Sequence, residues 1–375
     1  MAKNIFICAG DISGDIHAAQ LVSALKEIDP SVNITAIGGP RLAKVSDTFL
    51  LDLASQGVTG FVEPLKKLPQ FARILKQLRT YFSTQKPDSV ITVDFYGFNY
   101  RVLRLAKEFQ IPCYYYVTPQ VWASRQYRAK KLAALTRKMY VIYPFEPDFH
   151  KNFGGHAVFL GNPLLDQIPE PVEKLYPQEN LTNYAWKLGL LPGSRPGEIA
   201  RLTPDFYQTF KRVLQQFPHT HGYLFLLPEA NPADFVKLLG EPPHPNFHFV
   251  KETDYKLRAQ MDFLLTCSGT ATLENALLGV PMLVAYKMFW PTYMIARQII
   301  KVNYISLVNI LSGKALVNEY VQQEATADRF TAETLDLFSH PQKLLAQRNE
   351  LLKLRATLGH PGLAKRAAQD ILSDL

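Results

Sequence analysis

The sequence predicts an α/β fold made of two doubly wound halves, and three observations predict it. Short apolar strand-like runs alternate with helical stretches along most of the chain. Two of these runs pass into small-residue turns that open helices, one at residues 10–15 and one at 192–197. A length of 375 residues is enough for two such halves, each with its own core.

Composition limits the function classes. The apolar share of 47% and charged share of 20% are those of a folded protein and exclude disorder. The formal charge of +8 suits an acidic partner such as a nucleotide, a phosphorylated lipid or an anionic membrane face. No zinc-finger spacing, RNP pattern or long Lys/Arg block points to nucleic acid. Cys8, Cys113 and Cys267 stand alone inside apolar runs, so they read as buried small hydrophobes and imply a reducing compartment. No stretch has the length of a transmembrane helix, and the first residues lead into a strand instead of a signal peptide. The expectation is a protein of the cytosol or of a membrane surface.

In chain order, residues 5–9 read as a buried strand, 10–15 as its turn and 16–28 as a helix, with a second strand at 33–37. Asp11 and Asp15 in the first turn can cap the helix or meet a ligand. Residues 61–82 carry Phe61, Leu65, Leu68, Phe71 and Leu75 among five lysines and arginines. A basic, aromatic-rich amphipathic segment of this kind lies in a membrane interface or takes an acyl chain, and a helix covering a sheet has the same apolar stripe. Residues 87–94 form the next strand, and Asp94 sits at its carboxyl end, where open α/β sheets place ligands. Asp94 is therefore a candidate general base or a cap, and Asn99 orients its loop or caps the helix that follows. Strands at 111–117 and 140–143 flank a loop carrying Gln120 and a basic helix face at 125–131.

The first domain is expected to span 1–168, with a Pro- and charge-rich linker at 169–183 opening a second domain that runs to 345; 346–375 is a helical tail. In the second domain, Leu191-Pro192-Gly193-Ser194-Arg195 joins a strand to a helix and either is an ordinary structural turn or sets backbone N–H groups beside a guanidinium, which is equipment for a phosphate. The strand at 262–267 runs into Ser268, Gly269 and Thr270, a second helix-start anion site, with Glu274 one turn on, placed for ribose hydroxyls or for capping. Trp290 belongs to a second basic and aromatic patch. A dehydrogenase would show GxGxxG after the first strand; this chain does not, so two Rossmann-like halves across a cleft describe a nucleotide-sugar transferase better.

Together the 10–15 turn, Val93-Asp94 through Phe98-Asn99, Pro119-Gln120-Val121-Trp122, residues 161–166, 191–195, 268–274 and 304–322 resemble lipid-A-disaccharide synthases, glycosyltransferases of the two-domain GT-B type, over nearly the whole length. The resemblance implies transfer of a diacylated glucosamine from UDP-2,3-diacylglucosamine to the 6-hydroxyl of 2,3-diacylglucosamine 1-phosphate (lipid X), with inversion and without a metal or other cofactor. It implies Asp94 as the base; Arg195, Ser268, Gly269, Thr270, Glu274, Asn309 and Gln322 on the donor; and Asp11, Ser13, Asp15, Asn99 and Gln120 as acceptor contacts or structural support. It also implies that Phe61, Leu65, Leu68, Phe71, Leu75 and Trp290 meet acyl chains or lipids at the cytoplasmic face of the inner membrane, and that a homodimer or a tail crossing back to the first domain can form. The sequence departs from the family pattern at Asp11, usually Glu, at Asn162, often His, and at Val308 and Asn318, where Pro is usual. The competing readings are another UDP-sugar enzyme of this type, acting on a different lipid or on UDP-N-acetylglucosamine, and a non-catalytic lipid- or nucleotide-binding relative.

Overall fold

A computed structural model describes residues 2–54, 68–252, 254–290, 293–294 and 302–375. The chain divides into two compact units, residues 1–166 with 358–375, and 167–357.

The first unit is a parallel sheet of β1 (Asn4–Ala9), β2 (Asn33–Gly38), β3 (Thr48–Asp52), β4 (Ser89–Val93), β5 (Cys113–Tyr116), β6 (Lys138–Val141) and β7 (Ala157–Phe159), in the order β3-β2-β1-β4-β5-β6-β7. The order reverses between β1 and β4, which pair from Ile5↔Ser89 to Ala9↔Val93. In a doubly wound sheet, that reversal leaves a crevice at the strands' carboxyl ends. The connecting helices are α1 (Ile12–Ile28), α2 (Pro40–Val45), α3 (Leu68–Gln85), α4 (Tyr96–Glu108), α5 (Tyr127–Ala133) and α6 (Glu146–Lys151). Helix α1 begins at Ile12 because the Asp11 carboxylate accepts from Gly14 N at 2.7 Å and caps it, four residues before the start expected from periodicity.

The sheet's two faces carry separate cores. On one, Leu21, Val22 and Leu25 of α1 pack with Ile5, Ile7 and Ile91; on the other, Phe71, Ile74, Leu78 and Phe82 of α3 pack with Phe6, Phe98 and Val102. All three cysteines are buried and unpaired.

The second unit repeats the plan with β8 (Lys187–Leu191), β9 (His221–Leu226), β10 (Phe247–Lys251), β11 (Phe263–Cys267), β12 (Met282–Tyr286) and β13 (Glu319–Val321), ordered β10-β9-β8-β11-β12-β13 and again reversing between its first strand and its fourth. Its helices are α7 (Pro196–Gln216), α8 (Pro232–Leu239), α9 (Thr270–Leu277), α10 (Leu307–Ser312), α11 (Ala327–Ser339) and α12 (Pro341–Thr357). Trp186, stacked on Phe338 at 4.1 Å between centroids, anchors its core.

The final helix, α13 (Leu363–Asp374), returns to the first unit. Leu363, Ala367 and Ile371 enter the α1 core, and Asp370 and Asp374 pair with Lys138 and Arg137 at 2.8 and 2.7 Å. Among the described residues no helix is long and apolar enough to cross a membrane.

Candidate active site

In the first unit, Asp94 immediately follows β4 at the reversal point. Its φ of +49° and that of Phe95, +36°, are left-handed, a conformation that costs a non-glycine residue on the order of 1 kcal/mol or more. The surroundings hold it there. Asp94 N donates to Val117 O at 3.1 Å, while Asp94 O accepts from Asn99 Nδ2 at 2.8 Å and from the Tyr115 hydroxyl at 2.6 Å. Gly10 faces the Phe95 ring so closely that a Cβ there would lie 2.1 Å from Phe95 Cδ1. The carboxylate itself accepts from Phe95 N at 2.8 Å. Burial first, and then the negative charge of Asp11, push its pKa up to about 7, in the range of a general base at neutral pH. Burial also raises Asp11.

Of the supporting residues expected here, Asn99 is fully buried and ties down the Asp94 loop, and Ser13 is exposed on the first turn of α1. Asp15 is buried and accepts from Gly39, Arg41 and Leu42 N at 2.8, 3.1 and 3.0 Å; its carboxylate belongs to the start of α2. Gln120 donates to the Tyr143 hydroxyl at 3.2 Å. Sequence reasoning missed Glu146. It is fully buried, and its carboxylate accepts from Trp122 Nε1, Ile142 N and Tyr143 N at 3.1, 3.0 and 2.9 Å, joining the Gln120 loop to the end of β6. Burial pushes its pKa up to about 7.

In the second unit, a cavity of about 370 Å³ opens at the reversal between β8 and β11. Gly193, Ser194 and Glu198 line it from the first turn, and Ser268, Gly269, Thr270, Ala271 and Glu274 from the second. The first N–H groups of α9 have no partner within the helix and carry its positive dipole end, which suits a diphosphate. A Cβ at Gly269 would meet nothing, so the floor there is open; Ser268 Oγ donates to Ile305 O at 2.8 Å. Gly193 has φ of +113°, and a Cβ there would stand 2.7 Å from Glu198 Oε2, so only glycine fits the turn. Arg195 does not itself line the cavity. Its side chain is 76% exposed and is held by Glu198 Oε1 at 2.9 Å. Glu274 is paired with Arg258 at 2.7 Å, and Arg258, Glu252 and Tyr255, which no motif flagged, complete the far end.

Three expectations are corrected. Asn309 is fully buried; its amide donates to Val317 O and Glu319 Oε1 and accepts from Leu316 and Val317 N, so it shapes its own loop instead of facing a donor. Gln322 exchanges two hydrogen bonds with the main chain of Met288 and does not line the cavity. Phe71 is buried against Phe98 and Leu75 packs on the same core, so this stripe covers the sheet and is not offered to lipid. Phe61, Leu65 and the side chain of Leu68 lie outside the described residues. Trp290 is 48% exposed. Among the described residues no three His, Cys, Asp or Glu side chains are gathered as a metal site.

The sequence model of the lipid-A-disaccharide synthetase family matches residues 5–371. The lipid-A-disaccharide synthase of Syntrophus aciditrophicus is 36% identical over 376 residues, covering 98% of this chain and 96% of that one. That of Geobacter metallireducens is 33% identical over 380 residues, covering 100% and 97%. Among solved structures, a putative UDP-N-acetylglucosamine 2-epimerase from Listeria monocytogenes matches with a TM-score of 0.65 at 14% identity, over 100% of this chain and 97% of that one. The MurG of Acinetobacter baumannii matches with 0.62 at 13% identity over 100% of both. At such identities the structural likeness speaks for the fold alone.

Two parallel doubly wound units, the second with a cavity at its reversal point, define a protein of the GT-B fold, which glycosyltransferases and epimerases share. The chain belongs to the lipid-A-disaccharide synthase family and is a UDP-dependent glycosyltransferase of lipid A synthesis.

Proposed function

We propose that the donor is UDP-2,3-diacylglucosamine, the acceptor is 2,3-diacylglucosamine 1-phosphate, and Asp94 is the general base. Asp94 removes the proton of the acceptor 6-hydroxyl, the oxygen attacks the donor's anomeric carbon from the face opposite the diphosphate, and the carbon–oxygen bond to UDP breaks, with UDP keeping the electron pair. The products are a β-1,6-linked disaccharide 1-phosphate and UDP. The observation that carries this reading is the Asp94 turn, a strained residue at a reversal point with its main chain tied at both ends and its carboxyl raised toward neutrality.

The leaving diphosphate sits on the N-terminus of α9 and the Gly193 turn, with Arg195 closing from the mouth and Glu274 taking the ribose. These groups meet the diphosphate charge without a metal, and turnover is expected to survive a chelator. Association with an anionic membrane face is supported by charge. Helices α3, α4 and α5 carry Arg73, Lys76, Arg79, Arg101, Arg104, Lys107, Arg128, Lys130 and Lys131 against one carboxylate, Glu108. That surplus equals the whole chain's +8, so the remainder of the protein is balanced.

The test is a detergent-supported assay with both lipids, following UDP and disaccharide by mass in wild type and Asp94→Asn. Disaccharide that collapses in the variant while UDP still binds supports the reading. UDP release without disaccharide would overturn the acceptor, and full activity of Asp94→Asn would overturn the base.

A further inference from the structure

We propose that Arg258 is the positioning residue of the donor site: it aims one oxygen of Glu274 at the nucleotide and pins the Tyr255 turn beside it. This rests on the reading of Glu274 as the ribose carboxylate. Arg258 follows β10 in a short turn (Arg258–Gln260) and is 7% exposed. Its Nη1 donates to Glu274 Oε2 at 2.7 Å and leaves Oε1 with no partner among the described residues. Its Nε donates to Glu252 Oε1 at 3.1 Å and its Nη2 to Glu252 Oε2, so one fork grips both oxygens of the second carboxylate. The guanidinium carbon lies 5.0 Å from the centroid of the Tyr255 ring and 5.7 Å from that of Phe225. Every one of these side chains lines the same cavity.

One buried cation therefore serves two carboxylates and two rings, an arrangement that a planar guanidinium can satisfy and a lysine ammonium cannot. Its consequence for binding is orientational. A glutamate gripped through one oxygen has its carboxylate plane fixed, and the other oxygen stands ready to accept from a hydroxyl without side-chain ordering at the moment of binding. Tyr255, with φ of +60°, holds a left-handed turn whose ring rests on the same guanidinium, so loss of the cation loosens that wall together with Glu274.

The experiment measures, by calorimetry on the full chain, the affinities of UDP, 2′-deoxy-UDP and 3′-deoxy-UDP for wild type, Glu274→Ala and Arg258→Lys, with the melting temperature of each protein without nucleotide. A site built to accept from a hydroxyl rejects the analogue lacking it, so wild type should prefer UDP over one deoxy analogue by about tenfold or more. That preference should vanish in Glu274→Ala and fall at least about threefold in Arg258→Lys, beyond any loss of overall UDP affinity that a lower melting temperature brings. A preference lost in Glu274→Ala and fully kept in Arg258→Lys overturns the role of Arg258 while leaving the ribose reading intact. A preference kept in Glu274→Ala overturns the ribose reading, and the proposal with it. Should Arg258→Lys fail to fold, Arg258→Met/Glu252→Gln, which removes the cation with one of its carboxylates, is read by the same preference.

Discussion

The side-chain amide of Asn99 donates to the main-chain oxygens of both Val93 and Asp94, at 2.8 Å each. One buried group thus fixes the end of β4 and the left-handed residue that follows it, and Asp94 needs such a hold because its φ of +49° is unfavourable by itself. Asn99→Ala removes the hydrogen bond to Val93 O and leaves Asp94 O held by the Tyr115 hydroxyl alone among side chains. The expected loss is about 1–3 kcal/mol of stability, read by denaturant melts. A larger effect is expected in kcat, on the order of a hundredfold, because a base displaced by a fraction of an ångström misses its proton. UDP affinity should not move, since the proposed UDP site is built from the second unit alone. A variant that loses UDP binding and kcat together would contradict this division.

Asp94 and Asp11 give a pH dependence with a defined sign. The Asp94 pKa is raised to about 7 by burial first and by Asp11 second, with Tyr115 and Tyr143 also near its carboxyl. A base must be ionised, so kcat should fall as pH drops through about 7, and Asp11→Asn should move that limb to lower pH. Stability runs the other way. A carboxyl raised on folding favours the protonated native state, so its contribution is complete below the unfolded value of 3.8 and is lost as pH rises toward 7. Asp94→Asn should therefore melt higher than wild type at pH 8, with the gap closing toward pH 4; an equal gap at both would show that the carboxyl is not raised.

Arg195 separates binding from folding. Its side chain is 76% exposed and is held by Glu198 and by the Tyr286 hydroxyl at the surface, so Arg195→Ala should change stability by no more than about 1 kcal/mol. If Arg195 meets the diphosphate as proposed, the variant loses a charge-assisted contact and the donor KM should rise about tenfold. Arg195→Lys should recover only part, because an ammonium lacks the fork. Unchanged donor KM in Arg195→Ala would remove this residue from the site.

The strand-turn-helix units were legible because each is local: an apolar run, a small-residue turn, then a capped helix, as at Cys8 to Asp15 and Leu191 to Glu198. What was illegible is set by packing at a distance. Phe71 and Leu75 lie on a stripe that reads alike whether its other side is a sheet or a bilayer, and only the fold of β1 and α4 beneath them decides. Asn309 looks like a free polar loop residue until the chain from Leu316 to Glu319 wraps its amide. Arg258 and Glu274 are 16 positions apart on different elements, and Glu252 precedes Arg258 by six at no helical or strand period, so no spacing marks the cluster.

The burial of the α3 stripe moves the expected membrane contact from apolar to basic residues. On the opposite side of the first unit's sheet, charges are spent internally: Lys26 on Asp47, Lys365 on Glu27, Lys138 on Asp370 and Arg137 on Asp374. On helices α3 to α5 the single carboxylate, Glu108, is taken by Arg79, and the other eight cations have no carboxylate partner among the described residues. Near an anionic bilayer each is worth about 1 kcal/mol, so replacing the exposed Lys76, Arg104 and Lys107 by Gln should weaken binding to phosphatidylglycerol-containing vesicles on the order of a hundredfold. Sedimentation with such vesicles, set against pure phosphatidylcholine vesicles and against rising salt, reads the effect, and salt should mimic the substitutions by screening. Turnover of detergent-dispersed substrates should stay at the wild-type rate, because none of the three side chains touches the Asp94 turn or the cavity. Vesicle binding that survives both the substitutions and high salt would place the membrane contact on exposed apolar residues such as Phe289 and Trp290 instead.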